Sequence, residues 1–111
     1  MSIFSRLFGT KKEEPQAGTG SKRARDETVA HLKEFVRTRP DCEAFIEPPT
    51  RVTQTTMVVV AGSGEWTRRR VPDQATAKKV ASQLGIVAFD VNLSGYPSRM
   101  REWNESQRKP R

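Results

Sequence analysis

The chain has one cysteine, one histidine and one tyrosine in 111 residues, and each scarcity closes off a class of chemistry. A single Cys42 cannot form an intramolecular disulfide and has no second thiol for a redox pair, which fits a reducing compartment. With His31 as the only imidazole, a zinc site would have to be completed by carboxylates. A Cys–His nucleophile pair would need the first helix and its following loop to bring both residues together. No cofactor, no metal and no catalytic residue are therefore expected; His31 reads as a helix residue and Cys42 as a small packing residue. Long apolar runs are missing too. The longest, Met57 to Ala61, is strand-length, far short of the ~18 residues of a membrane-spanning helix. Met1 to Gly9 lacks the apolar stretch and small-residue cleavage site of a signal peptide, so the expected location is cytoplasmic.

What is present is positive charge: 20 Lys+Arg against 13 Asp+Glu, a formal net charge of +7. Its distribution is uneven. Residues 1–25 carry six basic and two acidic side chains, a balance of +4, and residues 97–111 carry five and two, a balance of +3. Residues 26–96 carry nine of each and are neutral. Attraction to a polyanion would thus come mainly from the two ends and would weaken with salt. The low apolar content, 34%, likewise belongs partly to those ends, because a chain of this length builds at most one core.

Residues 10–25 hold no large apolar side chain and read as a flexible basic linker, including Lys22, Arg23 and Arg25. Before it, residues 1–9 form an amphipathic segment. Ile3, Phe4, Leu7 and Phe8 fall at i, i+1, i+4 and i+5 with Arg6 beside them and Lys11-Lys12 just after, the pattern of a short helix that lies in an anionic membrane interface or docks on a partner. The domain is expected over 26–106, followed by a basic tail over 107–111. Asp26 is placed as an N-cap, with Val29, Leu32, Phe35 and Val36 on one helical face, and Arg39-Pro40 ends that helix. Strands are expected at Ala44 to Glu47, over the Thr- and Val-rich stretch from Thr50 to Ala61, and at Glu65 to Val71 after a Gly62-Ser63-Gly64 turn. Asp73 caps a second helix whose apolar face is Ala77, Val80, Ala81 and Leu84, and Gly85 closes it. The alternation of Val87, Phe89, Val91 and Leu93 predicts a last strand with one buried face, and Pro97 opens a final helix. The fold class is a single small α+β domain in the order α-β-β-β-α-β-α: about four mostly antiparallel strands with helices packed on one face.

Two clusters are candidate contact sites. Arg68, Arg69 and Arg70 follow Trp66 on one strand, so alternation sends Arg68 and Arg70 to the tryptophan's face and Arg69 to the other. They form either a phosphate-contacting or base-stacking patch, or else a solvated sheet face or ion pairs with Glu43, Glu47 or Glu65. Tyr96, Arg99, Arg101 and Trp103 crowd the strand-to-helix junction near Pro97. The aromatics there either cover the core edge or form an interface, the side-chain types being those of interface hot spots. Asp90 reads as a solvated or Arg-paired carboxylate.

The order from Asp26 to Leu84, with Ala77-Lys-Lys-Val-Ala81 in its second helix, resembles the topology of double-stranded RNA-binding domains, which implies RNA binding. Asp73, Gln74 and Ala75 stand where that family carries lysines. The segments Glu65 to Pro72, Leu84 to Val91 and Gly95 to Trp103 are similar to small uncharacterised actinobacterial proteins. Some of these carry an oxidoreductase label, which implies no defined activity. Gly62-Ser63-Gly64 is not a dinucleotide-binding G-x-G-x-x-G, since a strand follows it. The expected function is that of a non-catalytic cytoplasmic binding or adaptor protein whose basic ends engage a protein partner or an anionic membrane surface. A nucleic-acid or ribosome-associated accessory is the alternative, and an enzyme the third reading.

Overall fold

Helix α1 spans Lys22–Thr38 and is held to the sheet by Leu32 and Phe35, which it buries. A computed structural model describes residues 22–108, so Ile3, Phe4, Leu7 and Phe8, with the residues before Lys22 and after Arg108, lie outside it. The helix begins a full turn before the expected cap at Asp26. The reason is local: Lys22 Nζ pairs with Asp26 at 2.9 Å and Arg23 Nε with Glu27 at 3.4 Å, two i,i+4 contacts of about 0.2–0.5 kcal/mol each. Lys22 to Arg25 are therefore helical rather than linker. At the other end, Thr38 Oγ1 donates to the Glu34 carbonyl and Pro40 stops the helix.

Strands β1 (Glu43–Glu47), β2 (Thr56–Val60), β3 (Trp66–Arg70) and β4 (Ala88–Asp90) form one sheet in the order β3-β2-β1-β4. Two of its pairings are antiparallel, β1 with β2 and β2 with β3. β1 with β4 is parallel, so the sheet is mixed. β2 is shorter than the Thr- and Val-rich stretch suggests. Thr50 turns the chain instead, its hydroxyl accepting from the Val52 and Thr53 amides while its own N–H donates to the Thr53 carbonyl.

Helix α2 (Gln74–Leu84) has the caps its sequence announces. The Asp73 carboxylate accepts from the Thr76 amide at 2.7 Å, and Gly85 takes the left-handed conformation at φ +75°. Beyond it, the strand expected from Val87 to Leu93 stops at Asp90. The Asp90 side chain accepts from the Asn92 amide and caps a four-residue helix, α3 (Val91–Ser94). The alternating face is thereby broken: Val87 is 60% and Leu93 87% exposed, while Phe89 and Val91 turn inward. Asp90 is thus a cap rather than an Arg-paired surface carboxylate. Helix α4 (Ser98–Arg108) ends the described chain.

Alternation along β1 and β2 explains how the layers stack. Ala44, Ile46, Met57 and Val59 meet α1 and α2, together with Leu32, Phe35, Ala77, Val80 and Ala81. Phe45, Val58 and Val60 point the other way and are covered by Met100 of α4, with Trp66, Phe89 and Val91 at the margin. The expectation of helices on one face thus holds for α1 and α2, whereas α4 takes the opposite face. The physical reason is the unbroken Met57–Val60 run: it is buried on both sides, as central strands between two layers are. Each of these buried aliphatic side chains contributes roughly 1.5–3 kcal/mol of burial.

Candidate functional site

β1 places Glu43, Phe45 and Glu47 on the face that α4 covers, one carboxylate on each side of the phenylalanine. Arg99, in the first turn of α4, donates from its guanidinium to Glu43 at 2.8 Å, and its Nε donates to the Ala61 carbonyl at 2.9 Å. Trp66 Nε1 donates to Asn104 Oδ1 at 2.7 Å. Between these two ties the hairpin turn presses on the helix. Gly64, at φ +99°, has its Cα so near the Arg99 carbonyl that a Cβ there would collide with it. Arg99 and Trp66 are therefore clamps that seat α4 on the sheet, and Trp103 is half-buried beside them.

At the other end of the same face, Glu47 gathers four donors. Arg68 approaches through Nε and a terminal nitrogen, both at 2.9 Å, in the forked geometry that suits a carboxylate. The hydroxyls of Thr56 and Tyr96 also donate to it. Burial pulls the Glu47 carboxyl upward, but the bonds from Arg68, Thr56 and Tyr96 outweigh it and hold the group below the usual carboxylate range. Burial and the neighbouring carboxylate push the Tyr96 phenol up. The Arg68 guanidinium also lies 5.2 Å above the Trp66 ring. The cluster is a satisfied network rather than a poised acid–base pair. A depressed carboxyl and a raised phenol are each fixed in their ordinary protonation state at neutral pH.

On the α1 and α2 face, His31 Nε2 meets Thr67 Oγ1 at 2.8 Å, and burial, then Arg69 and Arg39, push its pKa down. Cys42 is partly buried, its thiol directed at the Arg39 carbonyl at 3.4 Å, and burial pushes that thiol up, away from nucleophilic use. Arg39 pairs with Glu65 at 2.8 Å and stacks over Phe35 at 4.3 Å. An open cavity of about 550 Å³ separates the C-terminal ends of α1 and α2, lined by Val36, Cys42, Leu84 and Ile86 among others. Among the described residues, no group of three His, Cys, Asp or Glu side chains converges as a metal site would require.

The three-arginine strand is thus divided. Arg68 belongs to Glu47, whereas Arg69 and Arg70 are exposed and meet no carboxylate among the described residues. Arg101, exposed on α4, likewise has none, while Arg99 is committed to Glu43. Of the aromatics, Trp66 and Trp103 flank α4, and Tyr96 is 44% exposed with its hydroxyl tied to Glu47. The residues that sequence reasoning passes over are Thr56 and Arg39. Thr56 was legible as the position beside Glu47 once the hairpin register is set; nothing local marks Arg39 as the partner of Glu65. Comparison with protein-family models, with curated proteins and with solved structures finds no match to this chain. No helix among the described residues is long and apolar enough to cross a membrane.

Proposed function

We propose that the chain is a non-catalytic binding protein of the cytoplasm that engages an anionic partner through a cationic rim centred on β3. One observation carries this reading. Asp26, Glu27, Glu34, Glu43, Glu47 and Glu65 are each committed to a basic side chain, yet Arg69 and Arg70 stand exposed on the outermost strand and pair with no carboxylate among the described residues. In a domain whose carboxylates are so widely paired, two neighbouring uncommitted guanidinium groups on a sheet edge supply charge to something outside the domain. The same deduction disfavours chemistry at the Glu47 cluster, whose carboxylate is already engaged by Arg68, Thr56 and Tyr96.

The test is binding to heparin as a generic polyanion. Charge reversal at Arg69 and Arg70 together is expected to weaken binding at least tenfold, with an unchanged thermal midpoint. The wild-type affinity is expected to fall roughly tenfold between about 50 and 200 mM salt, as for two neutralised phosphates. Equal binding by the doubly reversed variant would overturn the reading. If binding survives that reversal and vanishes on deletion of residues 2–9, the contact belongs to the Ile3, Phe4, Leu7 and Phe8 segment instead.

A further inference from the structure

We infer that the outer edge of β3 is a docking strand for an extended acidic segment of a protein partner, which adds to the sheet as a fifth strand. The inference rests on the cationic rim proposed above and names its partner. The ladder between β2 and β3 settles which main-chain groups are spent. Ala61 N–H donates to the Glu65 carbonyl at 2.8 Å and Val71 N–H to the Thr55 carbonyl at 2.9 Å, one bond at each end of the pair. With Val59 opposite Thr67 and Met57 opposite Arg69, alternation makes Thr67 and Arg69 the residues bonded to β2. The N–H and C=O groups of Trp66, Arg68 and Arg70 then face away from β2. β3 is the end of the sheet, and no described strand lies beyond it.

An open edge invites any strand, and the side chains decide which strand is accepted. Arg68, Arg69 and Arg70 are all exposed and repel a second copy of β3 or any other basic edge. Arg69 stands on the α1 and α2 face and Arg70 on the α4 face, so an added strand meets a free cation on each side. Successive residues of a strand point to opposite faces, so two adjacent acidic residues answer Arg70 and Arg69 at once. Trp66, four residues before Arg70 and on its face, is half-buried, packed on the core with Arg68 over its ring, and only its remaining exposed edge is offered to an apolar side chain. Run antiparallel, the partner reads acidic, acidic, any, any, apolar. The opposite edge of the sheet makes no such offer: β4 has three residues and α3 follows at once.

The probe is the peptide TEETTVT, blocked at both ends, added to the full chain with amide exchange followed residue by residue. The Arg68 and Arg70 amides are expected to exchange at least tenfold more slowly with peptide bound, while Thr67 and Arg69, already bonded to β2, are unchanged. Methylating peptide nitrogens at alternate positions should abolish binding in one phase and spare it in the other. Arg70→Pro, which removes an outward N–H and leaves the β2 ladder intact, should weaken binding at least fivefold where Arg70→Ala with its retained N–H weakens it less. The exchange measurement on the wild-type chain stands even if the proline variant misfolds. Peptide binding without slowed Arg68 and Arg70 amides overturns strand addition and leaves the cationic rim standing. Heparin binding without peptide binding does the same, and loss of both overturns the rim as well.

Discussion

The two faces of the sheet are held by different means. On one, α1 and α2 lay Leu32, Phe35, Ala77, Val80 and Ala81 against Ala44, Ile46, Met57 and Val59, a broad apolar contact with two polar ties at its margin, His31 to Thr67 and Arg39 to Glu65. On the other, α4 places Met100 over Phe45, Val58 and Val60 and relies on Arg99–Glu43 and Trp66–Asn104 for its seat. Beyond the reach of α4 the Glu47 network closes the same face. The first arrangement stabilises through area removed from water, the second through directed bonds that orient a helix. A domain of this size can therefore concentrate its stability on one side and leave the other side's fit to geometry.

The largest break in that comparison is Leu32→Ala. Its side chain is fully buried under α1, and its truncation should cost about 2–5 kcal/mol, read as a shift in the denaturant midpoint. Next comes Gly64→Ala, which combines a positive φ with a collision at the Arg99 carbonyl. It should cost about 1–3 kcal/mol and release α4 from its seat, seen as faster amide exchange over Ser98–Arg108 with α1 and α2 unaffected. The smallest effect separates the faces by pH. His31 has a lowered pKa, so the folded chain favours its neutral form. Its contribution is whole above the unfolded value near 6.5 and is lost as pH falls from there towards the folded pKa. Glu47 also has a lowered pKa, but as an acid. Its contribution is whole above the unfolded value near 4.3 and is lost as pH falls through the lower folded value. His31→Gln should remove the first decline and Glu47→Gln the second, each by about 1 kcal/mol or less in a stability-against-pH profile.

Legibility followed the range of the interaction. α2 could be read from Asp73 to Gly85 because both caps are properties of adjacent residues. The alternation of Trp66, Arg68 and Arg70 gave their shared face, and ion pairing to Glu47 was one of the outcomes left open for Arg68 beside a solvated face and a polyanion patch. The start of α1 was missed because its evidence lies in two exposed i,i+4 pairs rather than in apolar periodicity. β4 was overextended because a period of two continues from Val87 to Leu93 while the Asp90 cap overrides it. The seat of α4 was out of reach of any local pattern: Arg99 finds Glu43 across 56 positions, and Tyr96 finds Glu47 across 49.

The parallel pairing of β1 with β4 bears on the order in which the molecule assembles. β2 and β3 are neighbours in the chain and can zip as a hairpin on a microsecond scale, but β1 must wait for the hairpin and α2 to be in place before β4 reaches its far side. α4 is the last described element to be made, and without residues 98–108 seated Phe45, Val58 and Val60 would lie as one apolar strip open to solvent, a surface that would favour association and that the finished domain covers.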